Sequence, residues 1–163
     1  MTKVDKTHAM RVLDANGVTY RVTVYDPAGA FHAAEDAAAL LGAPPELVYK
    51  TLVVLRDGAT AAKPLLVMVP AAAQVDLRLL AAAIGAKKLR MATLREAERL
   101  TGMQAGGISA LGLRRPTFEV LLDEHARTLE SLHVSAGVRG TDLELAVEDL
   151  VRLTRARFVR AVA

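Results

Sequence analysis

The sequence predicts a single domain in which α-helices are mixed with β-strands. A chain of 163 residues is long enough for one hydrophobic core, since a domain of this size buries roughly 70% of its unfolded surface. Amphipathic segments that end in glycine indicate helices, and short apolar or alternating runs between turn residues indicate strands. No internal repeat and no linker-like stretch interrupts these patterns, so residues 1–163 are assigned to one domain.

Helices are predicted wherever start and stop signals frame an amphipathic segment. Asp76 is a suitable N-cap for the helix that Gly85 ends. Thr93, followed three residues later by Glu96, resembles a capping box, and Gly102 ends the helix that it opens. The predicted helices are 8–17, 33–41, 76–84, 93–101 and 146–153.

Strands are predicted between these helices. The near-continuous apolar runs 50–56 and 64–69 are typical of strands in the interior of a sheet. Alternation in 18–25 places valines on one face and directs Tyr25 away from the core. Shorter strands are expected at 87–91, 117–122, 132–134 and 143–145, the last two forming a hairpin, and residues 155–162 are expected to be a basic tail packed through Phe158, Val159 and Val162.

Composition narrows the classes of function. The net charge of +3 and the pI of about 9.4 favour an anionic partner. The chain contains no cysteine, which excludes a disulfide, a thiolate metal site and a cysteine nucleophile, and its four histidines have no metal-ligand spacing. We therefore predict no metal and no cofactor. No apolar run approaches membrane-spanning length and no signal peptide is present, so a cytoplasmic protein without membrane contact is expected.

Two glycine-rich turns have the composition of a ligand cradle. The first is Gly106-Gly107-Ile108-Ser109 with Gly112 beyond it, and the second contains Ser135, Gly137 and Gly140. Glycine takes positive φ values and lets a ligand approach backbone amides closely. The first turn is one residue too long for the G-x-S-x-G elbow of serine hydrolases, so Ser109 is not predicted to be a nucleophile.

Lys50 and Asp142 are the isolated charges next to these patterns. Lys50 precedes the apolar run of its strand, and it is either a strand-edge lysine that reaches water or a functional ammonium. Asp142 follows the second glycine turn, where it either caps the turn or contributes to a site. The residues alone leave both alternatives open.

Several blocks of the sequence together resemble the bacterial YbaK proteins, which are free-standing aminoacyl-tRNA deacylases. The blocks run in the family's order over nearly the whole chain, and Ala110 stands where the family usually has proline. They are Val48–Leu52, Gly85–Lys88, Thr101-Gly102, Gly106–Ser109 with Leu111-Gly112, and Val134-Ser135 with Arg139-Gly140 and Asp142–Leu145.

The resemblance implies an α+β fold with a mixed, curved, barrel-like sheet and peripheral helices. It implies removal of a wrong amino acid from tRNA, for this branch cysteine on proline tRNA, with the aminoacylated 3′ end as ligand and prolyl-tRNA synthetase as a candidate partner. Lys50 matches the essential lysine of the family. The implied substrate-binding residues are Tyr25, Phe31, Gly106, Gly107, Ile108, Ser109, Ser135, Gly137 and Asp142.

A cysteinyl ester brings its own thiol, so the enzyme needs only to position it; Lys50 is expected to bind the aminoacyl-adenosine end rather than form a covalent bond. Charges that we expect to meet the tRNA backbone are Lys87, Lys88, Arg114 and Arg139. Two alternatives stay open: a deacylase for alanyl-tRNA that uses water, and an inactive module that binds aminoacyl-tRNA or a synthetase.

Overall fold

The computed structural model describes residues 5–26, 38–39, 41–58, 62–113 and 117–163. The helices are α1 His8–Ala15, α2 Leu77–Ile84, α3 Leu94–Thr101 and α4 Val147–Thr154. The strands are β1 Tyr20–Val24, β2 Tyr49–Arg56, β3 Leu65–Pro70, β4 Leu89–Met91, β5 Glu119–Asp123, β6 Ser131–Ser135, β7 Thr141–Ala146 and β8 Arg157–Val159. Most of the predicted helix 33–41 lies outside the described residues.

The strands form two sheets that meet at one bridge. A three-stranded antiparallel sheet has the order β1-β7-β6, and a five-stranded mixed sheet has the order β4-β2-β3-β5-β8. Val48, just before β2, pairs in parallel with His133 on β6. The predicted α+β class is confirmed. Within the described ranges this bridge joins the two sheets, and they do not close into the expected barrel.

The centre of the five-stranded sheet is buried on both faces. Leu66 and Met68 of β3 face a core formed with α1, α3 and α4. Leu65 and Val67 of the same strand face a second core, which contains Leu80 of α2. Side chains alternate along a strand, so a strand that is covered on both sides must be apolar throughout. This explains the near-continuous apolar runs from which the two strands were predicted.

The caps that the sequence predicted are present. The Asp76 side chain accepts hydrogen bonds from the backbone at the start of α2. Thr93 and Glu96 form both halves of the capping box of α3. Gly85 and Gly102 follow the two helices with φ values of 70° and 71°, in the left-handed region that glycine takes at little cost. No helix within the described ranges is long and apolar enough to span a bilayer.

The predicted facing of β1 is confirmed, because Tyr20 and Val22 are paired with the core residues Leu145 and Leu143, but the burial expected at the end of the strand is wrong. Val22 and Val24 are 41% and 59% exposed, whereas Tyr25 is only 9% exposed. The alternation itself holds, but β1 is an edge strand of its sheet as described, and the core does not extend under its end. Val22 and Val24 therefore lie on the apolar face of the sheet but beyond the edge of the core, whereas Tyr25, on the other face, is covered.

The C-terminal segment contains a strand that the sequence did not reveal. β8 pairs in parallel with β5, and Ala161 and Val162 beyond it are buried. The buried Asp123 carboxylate accepts a hydrogen bond of 3.0 Å from the Ala161 amide. Packing of the tail was therefore predicted correctly. The strand itself could not be predicted, because it is only three residues long and its partner β5 lies more than thirty residues away in the chain.

Candidate functional site

The two glycine turns pack directly against each other. A Cβ atom on Gly107 would lie 2.7 Å from the Arg139 backbone nitrogen and 2.8 Å from the Val138 carbonyl carbon, distances that close packing does not allow. Gly106, Gly137 and Gly140 have φ values of 87°, 102° and 85°. The predicted positive φ values are thus confirmed at these three positions, whereas Gly107 serves a different need, close approach of two backbones.

The turn at Gly106 is fixed by hydrogen bonds from both sides. The Gly107 amide donates to the Gln104 carbonyl at 2.8 Å and closes the turn. The Ala105 amide donates to Glu98 Oε2 on α3 at 3.1 Å, and the Ala105 carbonyl accepts from Arg139 Nε at 2.7 Å. A side chain from a capped helix and another from the second glycine turn therefore hold the residue directly before the first turn.

Other amides of the first turn are left available. Within the described residues, the N–H groups of Gly106, Ile108 and Ser109 have no protein acceptor, although Ile108 and Ser109 are buried. Buried donors are normally paired in folded proteins, so such a group indicates a place where a ligand can supply the acceptor. Ser109 Oγ accepts from the Leu111 amide at 3.2 Å, which makes this hydroxyl a turn cap.

A polar row crosses the three-stranded sheet beside these turns. Thr23, Asp142 and Ser135 are paired across β1, β7 and β6 and therefore share one face. The Tyr25 hydroxyl donates to Asp142 Oδ1 at 3.5 Å, and Ser135 Oγ accepts from the Gly137 amide at 3.1 Å. Tyr25, Asp142, Ser135 and Gly137, all predicted site residues, are thus brought together by direct contacts or by register.

Burial sets the protonation of this row. Asp142 is only 5% exposed, and loss of solvation raises the pKa of its carboxyl to about 6, an effect that the hydrogen bond from Tyr25 partly offsets. Burial, reinforced by the Asp142 charge, raises the pKa of Tyr25 to about 12. The phenol therefore stays a donor at neutral pH, and the carboxyl changes its charge just below neutrality.

Lys50 lies on β2 opposite Val69 of β3 and is half-buried. It follows Val48 by two residues, and Ser135 follows His133 by two. Partners in a parallel bridge direct their side chains to the same face, and alternation restores that face two residues later. The Val48–His133 bridge therefore gives Lys50 the same facing as Ser135, and through it the same facing as Asp142.

The remaining predicted residues lie elsewhere. Lys87 and Lys88 are exposed on the turn before β4, and Lys88 Nζ is 3.6 Å from a carboxylate oxygen of Asp57. Arg139 is exposed, with its Nε bonded to the first glycine turn. The predicted pocket residue Phe31 and the predicted tRNA contact Arg114 lie outside the described residues.

Sequence reasoning missed Glu98, because an acidic residue on an exposed helix has no distinctive pattern. The one available signal was its place in a capped helix that leads into the glycine turn.

Sequence reasoning also missed the contact of 3.2 Å between His133 Nε2 and Glu144 Oε2. These two residues form the cross-strand pair next to that of Ser135 and Asp142 on the same face. Within the described part of the chain, no group of three His, Asp or Glu side chains is arranged to hold a metal ion.

Comparison with known proteins gives consistent results. The family model described as the aminoacyl-tRNA editing domain matches residues 29–153. EbsC of Enterococcus faecalis, provisionally named a Cys-tRNA(Pro)/Cys-tRNA(Cys) deacylase, is 34% identical over 153 residues, which are 94% of this chain and 91% of EbsC. Both matches include Lys50 and the two glycine turns.

Solved structures show the same fold. The hypothetical protein APE2540 superimposes with a TM-score of 0.82 at 24% identity, over 96% of this chain and 99% of its own. A structure provisionally described as a trans-editing enzyme for prolyl-tRNA synthetase gives a TM-score of 0.79 at 24% identity, over 98% and 99% of the two chains. At this identity the likeness establishes the architecture.

The buried carboxyl of Asp142 makes stability depend on pH. Because its pKa is near 3.8 in an unfolded chain and about 6 in the folded one, the folded state binds more protons between these values, and its free energy of unfolding falls as pH rises. Asp142→Asn removes this dependence. We expect the free energy of unfolding of the variant, relative to that of the unsubstituted protein, to rise by about 2 kcal/mol from pH 4 to pH 7.

Urea denaturation at a series of pH values measures this difference. Asp149→Asn is a matched control, because Asp149 lies on the outer part of α4 beside Arg152 and away from the polar row. A difference for Asp142→Asn that stays constant across the range would contradict the desolvation of this carboxyl.

Proposed function

This chain belongs to the family of aminoacyl-tRNA editing domains, and we propose that the substrate of its deacylase activity is cysteine mischarged on proline tRNA. The reaction of such an enzyme is cleavage of the ester that joins an amino acid to the tRNA 3′ end. The name of EbsC, which matches nearly the whole chain, supports the choice of cysteine. Such a role lies in the cytoplasm, where aminoacyl-tRNAs are formed and used.

One observation carries the proposal for the site. In the described part of the chain, amides without protein acceptors lie at the contact of two glycine turns, and a polar row with the same facing as Lys50 begins beside them. Fixed backbone donors stabilise negative charge that develops on a carbonyl oxygen during acyl transfer. The amides of Gly106, Ile108 and Ser109 are suited to this task. Gly106 is exposed, and the burial of Ile108 and Ser109 strengthens hydrogen bonds that are made there.

The proposed chemistry uses the substrate as its own nucleophile. The cysteine sulfur attacks the ester carbonyl carbon, a C–S bond forms, the bond to the ribose oxygen breaks, and the thiol proton passes to that leaving oxygen. Water then opens the resulting cyclic thioester. The protein contributes orientation, because an intramolecular attack gains rate only when the reacting atoms are held in line. A chain without cysteine can support this reaction, since it needs no protein thiol.

Lys50 is proposed to bind the terminal adenosine rather than to form a covalent bond. An ammonium group is a suitable partner for the phosphate and ribose of the tRNA 3′ end. The polar row, which has the same facing as Lys50, supplies Ser135 and Asp142 for the remaining polar groups of the aminoacyl moiety. With its pKa of about 6, the Asp142 carboxyl is mostly ionised at neutral pH and is then an acceptor for the α-ammonium group of the amino acid.

Deacylation of a substrate panel tests both parts of the proposal. Proline tRNA is charged with cysteine, alanine or serine. Each of the three substrates is used at the same concentration and is incubated with an excess of enzyme, so that a single turnover is measured. We expect cysteine to be released at least about 100-fold faster than alanine, because alanine lacks the nucleophile and gives up the effective molarity of the thiol. Equal rates for cysteine and alanine would favour attack by water, and no release of any of them would indicate a binding module.

Lys50 variants belong in the same experiment. Lys50→Ala is expected to slow cysteine release by roughly 100-fold, the order of loss when the reacting atoms are displaced by about 1 Å from their productive positions. Lys50→Arg keeps the positive charge but changes the geometry of its donors, so its rate of cysteine release is expected to lie between those of the unsubstituted protein and Lys50→Ala. Turnover at the original rate in both variants would overturn the role given to Lys50.

The tRNA body is proposed to meet Lys87 and Lys88 through sequence-independent charge contacts, whether or not prolyl-tRNA synthetase delivers the tRNA. Each neutralised phosphate lowers the slope of log affinity against log salt by about 0.7 to 0.9. Lys87→Ala is expected to make the slope shallower by about one such step, measured by filter binding between roughly 50 and 200 mM salt. The expected change is smaller for Lys88→Ala, because Asp57 already pairs with this ammonium.

Arg152→Ala is the control, since Arg152 pairs with Asp149 on α4. A binding affinity of the unsubstituted protein that does not vary with salt would remove the basis for these contacts.

A further inference from the structure

We propose that Glu98 and Arg139 are positioning residues that hold the amides of the first glycine turn in place for catalysis, an inference that rests on the proposed role of that turn. Neither side chain needs to touch the substrate. Both act on Ala105, the residue directly before Gly106. The sequence had assigned Arg139 to the tRNA backbone, and the structure assigns it a different task.

The geometry is a clamp on the two backbone groups of Ala105. Its amide donates to the Glu98 carboxylate at 3.1 Å, and its carbonyl accepts from the Arg139 guanidinium at 2.7 Å. Hydrogen bonds to charged groups are roughly twice as strong as those between neutral groups. Glu98 belongs to α3, a helix fixed by its capping box, and Arg139 belongs to the second glycine turn. The clamp therefore ties the first turn to two separate elements.

The bond from Arg139 also changes a proposed catalytic donor. The Ala105 carbonyl and the Gly106 N–H belong to the same peptide group. A hydrogen bond that draws electron density toward the carbonyl oxygen makes the amide proton more positive, which is the cooperative effect of linked hydrogen bonds. Within the described residues, the Gly106 N–H has no protein acceptor. Arg139 thus strengthens a donor that is left for the substrate.

The clamp and the close packing of Gly107 act on the same contact. The missing side chain of Gly107 lets the turn rest on the backbone of Val138 and Arg139. Because this contact is between two backbones, it permits close approach but supplies no directional bond. The Arg139 side chain, which comes from the same segment, adds a directional hydrogen bond. This bond prevents one turn from sliding along the other.

Two roles for Arg139 make opposite predictions. A residue that binds a tRNA phosphate changes the affinity for tRNA and the salt slope, and leaves the chemical step unchanged. A residue that positions the turn changes the rate constant of the chemical step and leaves the salt slope unchanged. Single-turnover kinetics at saturating enzyme, together with salt titrations of binding, separate them.

The variants are Arg139→Ala, Arg139→Lys, Glu98→Ala and Glu98→Gln. We expect Arg139→Ala to lower the rate constant for cysteine release by about 10-fold to 100-fold with an unchanged salt slope. Arg139→Lys cannot reproduce the Nε donor and is expected to restore little. Glu98→Gln keeps an oxygen that can accept from Ala105 and is expected to lie near the original rate, whereas Glu98→Ala is expected to lie near Arg139→Ala. The control Arg152→Ala is expected to change neither quantity.

A readout that needs no tRNA completes the test. In the ¹H–¹⁵N spectrum of the protein, Arg139→Ala is expected to move the Gly106 amide proton upfield, because its peptide is less polarised, while urea denaturation shows that the variant remains folded. An original rate with a shallower salt slope in Arg139→Ala would overturn the proposal, as would an unmoved Gly106 signal. If the unsubstituted protein released no amino acid, the proposed function would fail, and the spectrum would still decide whether the clamp exists.

Discussion

The contact between two glycine turns is the constraint on which the rest of the site depends. Gly107 lies so close to the backbone of Val138 and Arg139 that no side chain fits between them. Each turn comes from a different part of the fold, one following α3 and the other joining β6 to β7. Their contact therefore requires that the capped helix and the hairpin be placed correctly. Beside a polar row, it leaves amides that have no acceptor among the described residues.

The architecture around this contact separates stability from function. The five-stranded sheet is covered on both faces, by one hydrophobic cluster on each side. The three-stranded sheet has one apolar face, and its other face carries Asp142, Ser135 and the pair of His133 with Glu144. The Val48–His133 bridge connects the two, so Lys50, on a strand of the stable sheet, gains the facing of the polar row. Rigid support of this kind suits a reaction that depends on orientation.

The sequence predicted what depends on neighbouring residues. The caps of α2 and α3, the apolar strands β2 and β3 and the hairpin of β6 and β7 were all visible in local patterns. The burial of Tyr25 and the exposure of Val24 were not, because they depend on where the core ends under an edge strand. The β8 strand and the bond from Arg139 to Ala105 were hidden for a related reason, since their partners lie more than thirty residues away. Glu98 lies only seven residues from Ala105, but an acidic residue on a helix surface has no distinctive pattern. The predicted roles of Lys50 and of the pocket residues await biochemical tests.

Replacement of Gly107 by alanine tests the central claim most directly, because it adds a single methyl group where the two turns meet. The measurement is the single-turnover rate constant for release of cysteine from proline tRNA, with urea denaturation to establish that the variant is folded. The account predicts a rate at least about 100-fold lower in a folded protein, the order of loss expected when donors to a developing oxyanion are displaced. A folded Gly107→Ala variant that releases cysteine at the original rate would contradict it.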